Sequence, residues 1–259
     1  MCLIFLSVNQ HPTYSLIVAA NRDEFYERKT APADFWKDHP HVLGGRDLEA
    51  GGTWMAITRS GKISMITNYR DLKNFKSKAP SRGQLVSDYL TDDVSPSKYL
   101  KRIEPRKEEY NGFNLIVGSA NELWYLSNYK QGVEQVSNGV HGLSNALLDA
   151  PWPKVVTGKR KFESLLTGQI IKPEDLFGML MDEHTAPDDQ LPDTGVGLER
   201  ERQLSSMFIK SPGYGSRCST IVLIDKNNHV LFSERVFDLK TFQYNTKTFE
   251  FDIQPAKED

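Results

Sequence analysis

The chain has 259 residues, of which 39% are hydrophobic and 25% charged, with a formal net charge of -2. That balance is globular rather than disordered, and the absence of a basic excess argues against an electrostatic nucleic-acid binder. A chain of this length buries roughly three quarters of its unfolded surface, so one domain over residues 1–259 needs neither disulfide nor metal to hold it.

Two short apolar runs, residues 3–8 and 14–20, flank Asn9-Gln10-His11-Pro12-Thr13 and predict a hairpin. Gly44-Gly45-Arg46-Asp47 and Gly51-Gly52-Thr53-Trp54 lack the spacing of a phosphate loop. They read as turns flanking a strand, with Trp54 as core or pocket wall. Residues 53–59 and 62–67 predict a second hairpin around Ser60-Gly61. Helical signals follow: Gln84–Leu90 after Ser81, then Tyr99, Leu100 and Ile103 after Ser95-Pro96.

Phe113–Val117 and Leu123–Leu126 predict a third hairpin. Two more helices are expected after Pro153 and Pro173. Residues 182–216 are rich in Asp, Pro and Gly and predict a long loop, with a short helix near Glu199–Met207. Cys218–Ile224 and Val230–Glu234 form a last hairpin, and Thr248–Ile253 adds a strand. Hairpins segregated from helices fit antiparallel sheets, an α+β fold, rather than alternating strand-helix units.

Cys2 and Cys218 make no disulfide framework and fit a reducing compartment. No apolar run reaches about 18 residues, so no transmembrane helix is expected, and the short apolar start lacks a basic flank. The expectation is a cytoplasmic chain.

Cys2 has two readings. A free cysteine is most often a small buried hydrophobe. At position 2, however, removal of an initiator Met before a small residue would leave a thiol and an α-amine on one residue. Such an amine titrates at roughly 7.7–8.0 and serves as a base near neutrality, the logic of an N-terminal nucleophile.

Asn21-Arg22-Asp23-Glu24 ends the second strand. As a bare tetrapeptide it also reads as a polar turn. On a strand, Asn21 and Asp23 face one side and Arg22 the other, and the hairpin returns all of them to the neighbourhood of Cys2. There Asp23 could hold the α-amine, whereas Arg22, facing away, could stabilise a thiolate only if the backbone twists it inward. Asn68 and Asn145 read either as turn residues or as amide donors to an oxyanion. Arg217 reads as a strand-flanking charge, as a cation near the nucleophile or as a carboxylate clamp. His39 and His41 carry only a weak ligand spacing, and no metal site is expected. His141 lies near Asn145 and could line the same site.

Taken together, Met1-Cys2-Leu3-Ile4-Phe5, Asn21-Arg22-Asp23-Glu24, the two glycine motifs, His141-Gly142-Leu143-Ser144-Asn145, Asp149-Ala150-Pro151-Trp152-Pro153-Lys154 and Ser216-Arg217-Cys218-Ser219-Thr220 resemble the NRDE family. This is the family of transport and Golgi organisation protein 2. It is similar in turn to the cysteine N-terminal-nucleophile hydrolases, such as bile-salt hydrolase and penicillin V acylase. The resemblance implies a four-layer αββα sandwich. It matches Cys2 to the nucleophile, Asp23 to the residue orienting it, Asn68 and Asn145 to the oxyanion donors, and Arg217 to an arginine that begins a late strand. Asn21, Arg22, Trp54 and His141 are expected at the substrate. One departure stands out. Those hydrolases carry an Arg three residues before the Asp, where this chain has Ala20.

Two functions follow as expectations. One is hydrolysis of an amide or thioester bond in a small acyl substrate, with no cofactor required. The other is non-catalytic carriage of haem or a lipid-like ligand, in keeping with the haem and lipid metabolism to which the family is tied. No Cys-x-x-Cys-His haem motif is present.

Overall fold

The computed structural model describes residues 2–254; Met1 and residues 255–259, which the single-domain expectation takes in, lie outside the described residues. In chain order the strands of the first half are β1 (Cys2–Val8), β2 (Tyr14–Phe25), β3 (Thr30–Phe35), β4 (Val42–Asp47), β5 (Met55–Thr58) and β6 (Ile63–Asn68). Helices α1 (Gly83–Thr91) and α2 (Pro96–Ile103) follow, then β7 (Phe113–Ser119), β8 (Glu122–Ser127), β9 (Glu134–Gln135) and β10 (Gly139–Leu143). Next come α3 (Pro153–Leu165), α4 (Pro173–Leu180) and α5 (Leu198–Gln203). The chain closes with β11 (Lys210–Ser211), β12 (Tyr214–Asp225), β13 (His229–Phe237) and β14 (Tyr244–Asp252).

The strands form two seven-stranded antiparallel sheets. One has the order β10-β1-β2-β12-β13-β14, with β11 added beside β12; the other runs β3-β4-β5-β6-β7-β8-β9. Period two along each strand sorts the side chains into layers. From β1 and β2, Ile4, Leu6, Val8, Leu16, Val18 and Ala20 meet the second sheet in a central core. Leu3, Phe5, Ile17 and Ala19 point the other way and pack on α3 and α4. On the far side, α1 and α2 cover the outer face of the second sheet, with Leu85, Tyr89 and Leu100 in one cluster with Phe113 and Leu115 of β7. The architecture is therefore the expected four-layer αββα sandwich. β1 is buried on both faces, which is why its sequence is a near-continuous apolar run instead of an alternating one.

The four paired runs fold as hairpins, with β2 continuing to Phe25, beyond the apolar run that marked it. Gly44-Gly45-Arg46-Asp47 corrects the sequence reading, because it lies within strand β4 and is not a turn. A Cβ on Gly44 would lie 2.5 Å from that of Ala56 on β5, so the glycine marks close approach of two strands. Gly158 does the same for helix on sheet, where a Cβ would stand 2.0 Å from the Phe5 ring. In the 182–216 segment, α5 is shorter than expected and stops at Gln203.

Candidate functional site

The hairpin register sets Cys2 opposite Arg22, and β12 sets Cys218 opposite the same Arg22. Cys2, Arg22 and Cys218 therefore form a row across three neighbouring strands, on the face turned toward the second sheet. Arg22 does not face away from the thiol. It is the charged residue in phase with Ala20, one step further along that face. The two sulfurs are separated by two strand spacings, roughly 9–10 Å, beyond disulfide reach.

The row forms part of the wall of a cavity of about 780 Å³ between the sheets, within the range of ligand pockets. Asp23, Trp54, Asn68 and Arg217 line it too. Arg22 is 8% exposed. Among the described residues it makes no hydrogen bond or ion pair, and its charge acts on Cys2 and on the buried Glu234 carboxyl. Burial pushes the Cys2 thiol up, with Asp23 adding to the rise and Arg22 acting against it. Burial, with the Glu234 carboxyl adding to it and Arg22 only partly opposing, pushes Cys218 well above the ordinary thiol range. Of the two, Cys2 is the one with chemistry to offer.

Asp23 lies out of phase with Arg22, on the side of α3 and α4. Ser216 Oγ donates to its Oδ1 at 2.6 Å. Burial raises the Asp23 carboxyl and Lys154 pulls it back down. Asn68 ends β6, and its side-chain amide makes no hydrogen bond among the described residues. Arg217 occupies the extra position of a β-bulge, where the β2–β12 register shifts between Ser216 and Cys218. The bulge lets its guanidinium donate to the carbonyls of Phe25 at 2.7 Å and Tyr26 at 2.9 Å. Arg217 thus fastens the segment after β2 to the cavity wall.

Three of the expected residues lie off the cavity. Asn21 donates to the carbonyls of Leu180 and Met207, both at 2.8 Å, and so clips the end of α4 to the chain before β11. Asn145 donates from Nδ2 to the Asn68 carbonyl at 2.9 Å, standing one hydrogen bond behind Asn68. His141 sits between Asp149 Oδ2 at 2.7 Å and the Ser137 carbonyl at 2.9 Å. Two acceptors favour the imidazolium, and the Asp149 bond is the main cause of its raised pKa.

Sequence reasoning passed over a buried charge cluster behind the cavity. Arg70 Nη1 meets Glu201 Oε2 at 2.6 Å, with both side chains 4% exposed. Lys154, fully buried, donates to the Leu204 carbonyl at 2.9 Å. Asp23 and Lys154 are each the strongest charge acting on the other. The positive charges of Arg70 and Lys154 thus balance the negative ones of Glu201 and Asp23. One signal was available. Lys154 follows Pro153 in the first turn of α3, where the helix dipole disfavours a cation, so only a tertiary partner explains a lysine there.

Burial holds Lys154 down at about 8, with Asp23 resisting the fall. Between pH 8 and 10.5 the folded chain has released a proton that the unfolded chain keeps, so this residue makes stability rise with pH there. Lys154→Met should remove that contribution, which approaches about 1.4 kcal/mol per pH unit. Urea unfolding of both proteins across this window tests it. A stability difference independent of pH would refute the assignment.

The four layers, with a cysteine opening the first central strand, define the fold of the N-terminal-nucleophile hydrolases. A solved mutant conjugated bile acid hydrolase from Clostridium perfringens superposes with a TM-score of 0.52 at 8% identity, over 98% of both chains, a likeness of fold alone. The family model of Transport and Golgi organisation 2 matches residues 1–239, and the chain belongs to that family. The human Transport and Golgi organization protein 2 homolog is 37% identical over 276 residues, covering 98% of this chain and all of the relative. Drosophila melanogaster Transport and Golgi organization protein 2 is 34% identical over 263 residues, covering 90% of this chain and 91% of the relative.

Proposed function

We propose that this chain is a cysteine hydrolase that cleaves an amide or thioester bond of a small acyl substrate, with Cys2 as nucleophile once Met1 has been removed. The observation that carries the reading is the placement of Cys2 beside the Arg22 guanidinium in the wall of a cavity large enough for a ligand. The α-amine of Cys2 takes the thiol proton as sulfur attacks the carbonyl carbon. The oxyanion is stabilised by the Asn68 amide and the Arg22 guanidinium. As the intermediate collapses, the amine or thiol leaving group takes the proton back and departs, leaving an acyl thioester on Cys2. Water, deprotonated by the same amine, then releases the carboxylic acid. Asp23 orients the amine, with Ser216 and Lys154 holding the carboxylate. Asn145 acts through Asn68, and Arg217 through the loop it fastens.

Intact mass before and after treatment with a β-lactone acylating probe at neutral pH, followed by peptide mapping, tests this. Loss of Met1 and one adduct on Cys2, with Cys218 unlabelled, is the expected result. A retained Met1 or an inert Cys2 would overturn the hydrolase and leave the second reading, a carrier for haem or a lipid-like ligand. The size of the cavity favours that reading independently of any chemistry. Saturable ligand binding that survives Cys2→Ala, without turnover, would establish it.

A further inference from the structure

The segment between β6 and α1 borders the cavity and differs in character from the rest of the surface. Beyond the buried Arg70, whose charge Glu201 balances, residues 71–82 carry Lys73, Lys76, Lys78 and Arg82 against a single acid, Asp71, in a chain whose net charge is -2. Leu72 and Phe75 of this segment are 58% and 64% exposed, and Phe25, on the same cavity, is 57% exposed. Large apolar side chains left open together at a cavity mouth call for a covering surface.

The segment is held in this shape. Asp71 accepts from the Lys73 and Asn74 amides at 3.0 and 3.2 Å and from the Tyr129 hydroxyl at 2.5 Å. Asn111 pins the Lys76 backbone from both sides, at 2.8 and 2.9 Å. Leu72 and Phe75 are therefore presented on an anchored turn. Lys76 Nζ turns back to the Glu108 carbonyl. The ammonium groups of Lys73 and Lys78 have no hydrogen bond or ion pair among the described residues. Exposed apolar side chains interleaved with unpaired lysines match the chemistry of an anionic bilayer surface, whose interior takes the former and whose headgroups take the latter.

We infer that the 70–82 segment, with Phe25, docks the cavity mouth on an anionic lipid bilayer, with Leu72 and Phe75 inserted at the interface and Lys73 and Lys78 on the headgroups. The cavity then opens onto the membrane, and a ligand with an acyl chain enters without crossing water. Docking itself is independent of turnover; only the delivery of an acyl substrate rests on the hydrolase reading.

The test is co-sedimentation of the full chain with vesicles of phosphatidylcholine alone or of phosphatidylcholine with phosphatidylserine. Binding is expected only to the anionic vesicles, weakening as salt is raised. Lys73→Gln and Lys78→Gln should each weaken it about fivefold, the equivalent of the ~1 kcal/mol a lysine gains near such a surface. The double variant Leu72→Ser/Phe75→Ser should abolish it while melting as wild type. If that variant melts lower, the two lysine variants carry the test. Cys2→Ala should bind as wild type does, which separates failure of docking from failure of the chemistry. No sedimentation with anionic vesicles would overturn the inference, as would binding unchanged in all of these variants. So would a dimer in solution that Leu72→Ser/Phe75→Ser dissociates, since a second copy would then be what covers the rim.

Discussion

Cys2→Ala is expected to lower kcat for any amide or thioester that the wild-type chain hydrolyses by on the order of 10⁶-fold, the scale seen when a hydrolase loses its nucleophile. The argument starts from the row Cys2–Arg22–Cys218. Only a thiolate attacks, and burial of a thiol works against its formation. Arg22 opposes that cost at both thiols, but at Cys218 the Glu234 carboxyl adds to it through both its charge and a hydrogen bond, and only Cys218 is pushed well above the ordinary thiol range. Cys218→Ala should therefore leave kcat within a few-fold of wild type. Both substitutions trim a single sulfur from a buried site, which costs about 1 kcal/mol of stability, so a melt separates loss of chemistry from loss of fold. Comparable residual hydrolysis in Cys2→Ala and Cys218→Ala would remove Cys2 from the mechanism.

Glu201→Ala should be the most destabilising single change at the site, by about 3–5 kcal/mol. Glu201 accepts from Arg70 Nη1 at 2.6 Å, from the Thr194 amide at 2.8 Å and from the Thr194 hydroxyl at 2.5 Å. Burial pulls the Arg70 pKa down, but a guanidinium does not release its proton inside a protein. Removing Glu201 therefore takes the paired carboxylate away from a buried positive charge and from two donors of Thr194. The urea midpoint should fall with little change in slope. The pair also joins residue 70, at the base of the lysine-bearing segment, to the 182–216 loop, so both should loosen together. In a double-mutant cycle, Arg70→Met/Glu201→Leu should be less destabilised than Glu201→Ala, because the buried positive charge is removed with the carboxylate. Additive losses would show that the two groups do not act as a pair.

Local pattern was enough to specify much of this molecule. Five residues of linker between two apolar runs leave the chain little choice but to pair 3–8 with 14–20. Sequence alone turned Arg22 away from the thiol; the pairing register, which sets Cys2 opposite Arg22, is what puts those two on one face and Asn21 and Asp23 on the other. The helices announced themselves through Pro96, Pro153 and Pro173, each at the first turn. The position of Cys2, and the ordered motifs around it, were sufficient to point to the fold class. Strand β4 was hidden because its glycines serve close packing against Ala56, a neighbour invisible from sequence, and glycine in isolation reads as a turn. The bulge at Arg217 depends on how β12 meets β2, nearly 200 residues apart in the chain and so outside any local signal. Asn145 was placed at the site by the family resemblance, Asn21 by its motif and His141 by its nearness to Asn145 in sequence, yet their amides and ring are taken by carbonyls and a carboxylate. The buried set of Asp23, Lys154, Arg70 and Glu201 draws one residue from each of four distant segments. A charge enters the interior only with a partner, and that partnership exists only once the sheets and helices have closed around it.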